Sequence, residues 1–155
     1  DPATGAVAVP ERLAADESYR LEPEKSPAGP VSIVMSAADQ RVLVLRNGVE
    51  IGRARLTLRD PSTPLGTHAY VMRDAAATAS PSPTWTAIAM PGHYDEAGRA
   101  LPHEAAARVS MPSAFAHAIQ PLLVPGTTLF VTDAPILSEN THSDITVLSQ
   151  GAPGA

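Results

Sequence analysis

Asn47-Gly48 constrains this chain more than any other dipeptide in it. Both residues accept the positive φ that a two-residue type I′ hairpin turn demands. The runs on either side, Arg41-Val-Leu-Val-Leu-Arg46 and Val49-Glu-Ile-Gly-Arg-Ala-Arg-Leu-Thr-Leu58, read as its two strands. Val31-Ser-Ile-Val-Met35 precedes them across a turn at Ser36–Gln40, so the sequence predicts an antiparallel meander. In its third strand Arg53 and Arg55 alternate with Ala54 and Leu56, which predicts one wet face.

Proline limits what the rest can be. Sixteen prolines bar a helical bundle and favour short strands joined by loops. Thr63-Pro64-Leu65-Gly66 predicts a tight turn, with proline presetting φ and glycine taking the conformation other residues resist. Thr67–Met72 and Thr84–Met90 follow as strands, the second carrying Trp85, the one tryptophan and a core anchor. Between them, 75–83 reads as a small, polar surface loop. Pro91–Pro102 is another loop, carrying His93, Asp95 and Glu96, with His103 at its end. Ser113 is the expected N-cap of a short helix with Phe115, Ile119 and Leu122 or Leu123 at helical spacing, which Pro121 should end. Pro125-Gly126 then turns the chain into a last strand, Thr127–Thr132.

Domain limits follow. Residues 1–30 are rich in Pro, Ala and Glu and show no strand pattern; Pro10–Leu21 predicts one or two helical turns, and the segment reads as a linker or a strap. Residues 31–137 form the domain, and 138–155 a tail in which Ile145–Leu148 can add an edge strand. The predicted class is α+β, mostly β. Asp1-Pro2-Ala3-Thr4 reads as a start left after removal of a leader.

Charge and composition exclude several functions. A net charge of −5 without a basic stripe argues against nucleic acid. The absence of cysteine removes disulfides, thiolate metal sites and cysteine nucleophiles. No stretch is long and apolar enough to predict a transmembrane segment.

Four features, in order, resemble the catalytic domain of L,D-transpeptidases of the YkuD type, bacterial enzymes that cross-link peptidoglycan stem peptides. They are Asp39-Gln40-Arg41 with the following hairpin; Thr63-Pro64-Leu65-Gly66-Thr67; Trp85-Thr-Ala-Ile-Ala-Met90; and Arg108-Val-Ser-Met-Pro-Ser113 with its helix and Pro125-Gly126-Thr127. The resemblance spans Val31 to Thr132, about two thirds of the chain. It implies an L,D-transpeptidase-like β-sandwich with one short helix after the motif segment. The family motif, roughly Ser-His-Gly-Cys-(Ile/Val)-Arg-(Met/Leu)-Pro, is emptied here. Ala105, Ala106 and Ala107 stand at its Ser-His-Gly, Arg108 at its cysteine and Ser110 at its arginine. The family's histidine after the Trp strand falls at Pro91 or Gly92, with His93 displaced.

Arginine stays protonated and cannot be the nucleophile. The resemblance therefore implies a catalytically inactive envelope domain, periplasmic or otherwise extracytoplasmic, that binds peptidoglycan peptides or an envelope protein and needs no cofactor. Its ligand-binding candidates are Arg108, Trp85, His93 and Ser110. Arg108 can fork onto a ligand carboxylate, or else fill the vacated pocket and pair with Glu104 or Asp95, or point to water. Two other readings stay open: an active transferase or hydrolase using Ser110 with His93 or His103 as base, and a purely structural assembly domain. His93, Asp95, Glu96, His103 and Glu104 crowd together, but their spacing matches no zinc template, so no metal site is assigned. His68 and His117 read as ordinary face residues.

Overall fold

The computed structural model describes residues 13–73 and 85–137. Along these the chain forms strands β1 (Tyr19–Leu21), β2 (Val31–Ser36), β3 (Arg41–Arg46), β4 (Val49–Arg55), β5 (Thr57–Leu58), β6 (His68–Met72) and β7 (Trp85–Ile88). Helix α1 (His103–Ala106), strand β8 (Val109–Ser110), helix α2 (Ser113–Ile119) and strand β9 (Thr128–Thr132) complete it. The domain is mostly β, as its prolines and hairpin signal predict. A seven-stranded mixed sheet runs β1-β4-β3-β2-β9-β6-β7, and β5 pairs with β8 as a separate ribbon. Among the described residues, no helix is long and apolar enough to cross a membrane.

The meander is present at β2, β3 and β4. Asn47 and Gly48 turn it with φ of 54° and 79°, the left-handed pair that a type I′ turn requires. The parallel β2–β9 pair joins the meander to β6 and β7. Alternation along β2 sends Val31, Ile33 and Met35 to one face, joined by Val42 and Val44 of β3 and Leu129 of β9. Against that face lies α2, whose Phe115 and Ile119, four residues apart, are both buried. Helix α2 ends at Ile119, and Pro121 sits in the 3₁₀ turn that follows.

The predicted wet face of the third strand is overturned. Arg53 is only 5% exposed. A register shift between Val44 and Leu45 puts an extra residue, Ile51, into β4, so Glu50, opposite Leu45, and Arg53, opposite Leu43, share one face, and Ile51 to Ala54 are all buried. Arg53 is further flanked across the ladder by Arg20 of β1 and Leu43 of β3. Its guanidinium forks onto Glu50, Nε to Oε2 at 2.7 Å and Nη2 to Oε1 at 3.0 Å. The strand also stops early: after Arg55 the chain leaves the sheet, and Thr57–Leu58 pair with β8 instead.

Residues 13–30 act as a strap. In place of the predicted helical turns, a single turn closes with Glu17 N–H donating to Ala14 O, and β1 then joins the sheet edge. Arg55 secures it, donating to the carbonyls of Glu17 at 2.8 Å and Ala14 at 2.7 Å. Gly52 permits the close approach, since a Cβ there would meet Leu21 at 2.8 Å and the Arg20 carbonyl at 3.1 Å.

At the other end, the Asp39 carboxylate accepts the N–H groups of Ile136 and Leu137 at 2.6 and 2.8 Å, which holds the chain to the sheet as far as residue 137. The loop expected at 75–83 and the edge strand expected at Ile145–Leu148 lie outside the described residues.

The Glu17 carboxylate accepts Ala14 N–H at 2.9 Å and Arg20 Nη2 at 2.7 Å. The backbone N–H first, and Arg20 after it, hold its pKa below the ordinary 4.5. A depressed carboxylate stabilises the fold above its unfolded pKa, and that contribution is lost as pH falls through the folded one. Amide protection across Tyr19–Leu21, corrected for intrinsic exchange, should therefore decline as pH drops below about 4.5. Glu17→Gln should flatten that decline; an unchanged profile in the variant would assign it to other carboxylates.

Candidate functional site

The stretch from His103 to Ile119 folds into three short pieces. Ala105 and Ala106, good helix formers, extend α1 behind Pro102, so the domain has two short helices where one was expected. Arg108 follows, and Val109 and Ser110 pair with Leu58 and Thr57. Pro112, not Ser113, is the N-cap of α2; Ser113 is its first helical residue, with no side-chain cap.

These pieces wall an open cavity of about 830 Å³. Its lining is mainly apolar: Leu65, Tyr70, Trp85, Leu101, Val109 and Met111. His103, Arg108, Ser110 and Ser113 supply the polar positions. A second recess of about 440 Å³ shares Met35, Trp85, Met111, Ser113 and Ala116 and runs along α2 to Leu123. Trp85 packs against the core and lines both.

Arg108 is committed to its own fold. Its Nη1 donates to Pro64 O at 3.0 Å, and its Nη2 donates to the carbonyls of Thr63 and Asp60. Its backbone carbonyl accepts Arg59 N–H at 2.8 Å. The guanidinium thus ties the 59–64 loop to β8, through backbone carbonyls rather than the Glu104 or Asp95 carboxylate expected. Asp60 organises the same loop by accepting Thr63 Oγ1 at 2.6 Å and Ser62 Oγ at 2.7 Å. Those two hydroxyls, Thr63 foremost, keep its carboxyl below the ordinary range.

The tight turn expected at Thr63–Gly66 falls elsewhere. The hydrogen-bonded turn is Asp60–Thr63, closed by Thr63 N–H to Asp60 O at 3.1 Å. Pro64 to Gly66 is held from outside instead. The Asp133 carboxylate accepts the N–H groups of Leu65 and Gly66, each at 2.7 Å, and Gly66 supplies a φ of 79°.

The candidate residues separate into two groups. Trp85, His103, Arg108 and Ser110 line one cavity. Among the described residues, no hydrogen bond joins Ser110 to His103 or His93, so no serine–base pair is assembled. His93 points elsewhere, its ring 4.5 Å from that of His68. His93, Glu96 and His68 offer ligand atoms that all lie within 4.8 Å of one another. Asp95, His103 and Glu104, the other members of the crowded segment, are exposed and outside this group.

His68 is the residue sequence reasoning missed. It stands 25 positions before His93, on a strand whose alternation marks it only as facing the same way as Tyr70. Its Nδ1 faces Glu96 Oε2 at 2.8 Å and its Nε2 faces Leu65 O at 3.1 Å. Tyr70, buried two residues on, has its phenol pKa raised, chiefly by burial and then by the Glu96 carboxylate.

No family model, no curated protein and no solved structure matches this chain.

Proposed function

We propose that this chain is a non-catalytic domain of the bacterial cell envelope, of L,D-transpeptidase-like architecture, that binds peptidoglycan stem peptides in the cavity beside β8. One observation carries the reading. The stretch that resembles the family's catalytic motif holds neither that motif's cysteine nor its histidine, yet it walls an open cavity of about 830 Å³ rather than a filled core. A pocket kept open without that pair suits binding. The mainly apolar wall of Leu65, Trp85, Leu101 and Met111 suits the alanine methyls and aliphatic stems of such peptides, and His103, Ser110 and Ser113 provide polar contacts at its rim. Arg108 contributes by positioning the 59–64 loop, with its guanidinium engaged by carbonyls. An extracytoplasmic location belongs to the same proposal and rests on the same resemblance.

Trp85 is the one tryptophan and lines the cavity, so intrinsic fluorescence reads the site directly. Titration with a synthetic stem pentapeptide should give a saturable change. Met111→Asp, which places a charge in the apolar wall, should weaken it by at least about tenfold, equivalent to about 1.4 kcal/mol. No response to the peptide, together with no co-sedimentation with purified sacculi, would leave a structural domain. Turnover of muropeptides abolished by Ser110→Ala would replace binding with catalysis.

A further inference from the structure

We infer that His68, His93 and Glu96 form a binding site for a divalent transition-metal ion of the zinc type. The site stands apart from the peptide proposal and does not depend on it. It joins β6, which carries His68, to the loop after β7, which carries His93 and Glu96.

The donor set is right in kind and in spacing. Two imidazoles and one carboxylate are a common zinc ligand set, and an open fourth position is the usual complement of three protein ligands. Bonds of about 2.0–2.2 Å in tetrahedral geometry put neighbouring donor atoms roughly 3.3 Å apart. Here His68 Nδ1 lies 2.8 Å from Glu96 Oε2, and His93 Nδ1 lies 3.6 Å from Glu96 Oε1. The two separations, to the two oxygens of one carboxylate, bracket the requirement, and the three donor groups all lie within 4.8 Å of one another.

Second-sphere geometry supports the same reading. A ligating histidine normally donates its other ring N–H to a carbonyl or carboxylate, which fixes the tautomer. His68 has that partner: its Nε2 faces the Leu65 carbonyl at 3.1 Å, leaving Nδ1 as the ligating atom. The carbonyl is itself held in place, because Leu65 N–H and Gly66 N–H are bonded to Asp133. Gly66 makes room for the ring, since a Cβ there would lie 2.7 Å from His68 Nε2.

Exposure leaves a way in. The His68 side chain is 17% exposed, Glu96 32% and His93 36%, so two ligands reach solvent while one is anchored in the sheet. The fourth position is then available to water or an exogenous anion, which makes the site of the open, ligand-accepting kind.

The test uses the untagged chain and Zn²⁺ in competition with a chromophoric chelator, with Co²⁺ absorption as a second readout. One ion per chain is expected, and Co²⁺ should show the intense visible bands of a four-coordinate site. His93→Ala and Glu96→Gln, both at partly exposed positions, should each weaken Zn²⁺ binding by at least about 100-fold while circular dichroism stays unchanged. His103→Ala, outside the group, should leave it unaltered. Gly66→Ala should also weaken it, by pushing the His68 ring. Absence of binding at micromolar Zn²⁺, or affinity undiminished in both His93→Ala and Glu96→Gln, would overturn the assignment and leave a hydrogen-bonded His–Glu cluster. Peptide binding through Trp85 is read in the metal-free protein, so the two proposals fail separately.

Discussion

Phe115→Ala should lower the free energy of unfolding by about 3–5 kcal/mol, the usual cost of removing a fully buried aromatic ring. Phe115 is 0% exposed and is the largest fully buried side chain among the described residues. It anchors α2 to the sheet, its ring centroid 5.6 Å from that of Tyr19 at a tilt of 52°. It also passes beside Gly52, where a Cβ would meet it at 3.4 Å. One ring therefore holds the helix, the strap and the centre of β4 together. The loss should appear in urea denaturation as a lower midpoint with an unchanged slope. Because α2 also walls the second recess, Trp85 fluorescence should shift in the same variant. A loss below about 1 kcal/mol would mean that α2 contributes little to the core.

Glu50→Ala should cost about 3 kcal/mol, the low end of what breaking a buried ion pair costs. The Arg53 and Glu50 side chains are 6% and 15% exposed, and the fork between them is bidentate. Removing Glu50 deprives a buried guanidinium of its bidentate carboxylate in a recess lined also by Arg20, Lys25 and Glu22. The penalty arises from the buried charge that remains more than from the pair's own attraction. Glu50→Ala combined with Arg53→Met should therefore recover most of the loss, because the methionine buries its stem without a charge. Additive losses in the double variant would show that Arg53 is satisfied by other groups.

Much of the fold was legible in local sequence. Asn47-Gly48 dictated its hairpin because few dipeptides accept two consecutive positive φ values. Pro121 dictated where α2 ends, and Phe115 and Ile119 dictated which of its faces is buried. Arg53 was misread for a physical reason: regular alternation sets Glu50 and Arg53, three apart, on opposite faces, and the shift opposite Val44/Leu45 brings them to the same one, where the carboxylate covers the guanidinium. The strap was one of two readings, but its strand β1 went unread because it is three residues long, too short for any period to register. It exists because Gly52 and Arg55, more than thirty positions later, accept it.

The candidate site divides the same way. Arg108 and Ser110 were named from the 105–112 stretch, Trp85 and His103 from the segments before it, and the four line one cavity; His93, named with them, lies beside His68 and Glu96 instead. The commitment of Arg108 to the carbonyls of residues 60–64 depends on how a distant loop closes.

What the sequence determined by itself is what lies within a few residues or in composition: a β-rich chain, a hairpin at Asn47-Gly48, a short helix ending before Pro121, and no thiol chemistry. What the tertiary structure alone decided is which distant groups meet. Arg55 meets the strap carbonyls of Glu17 and Ala14, Arg108 meets the 59–64 loop, and His68 meets His93 and Glu96. The reason is that backbone periodicity records which way a side chain points, while its partner is chosen by the packing of strands far apart in the chain.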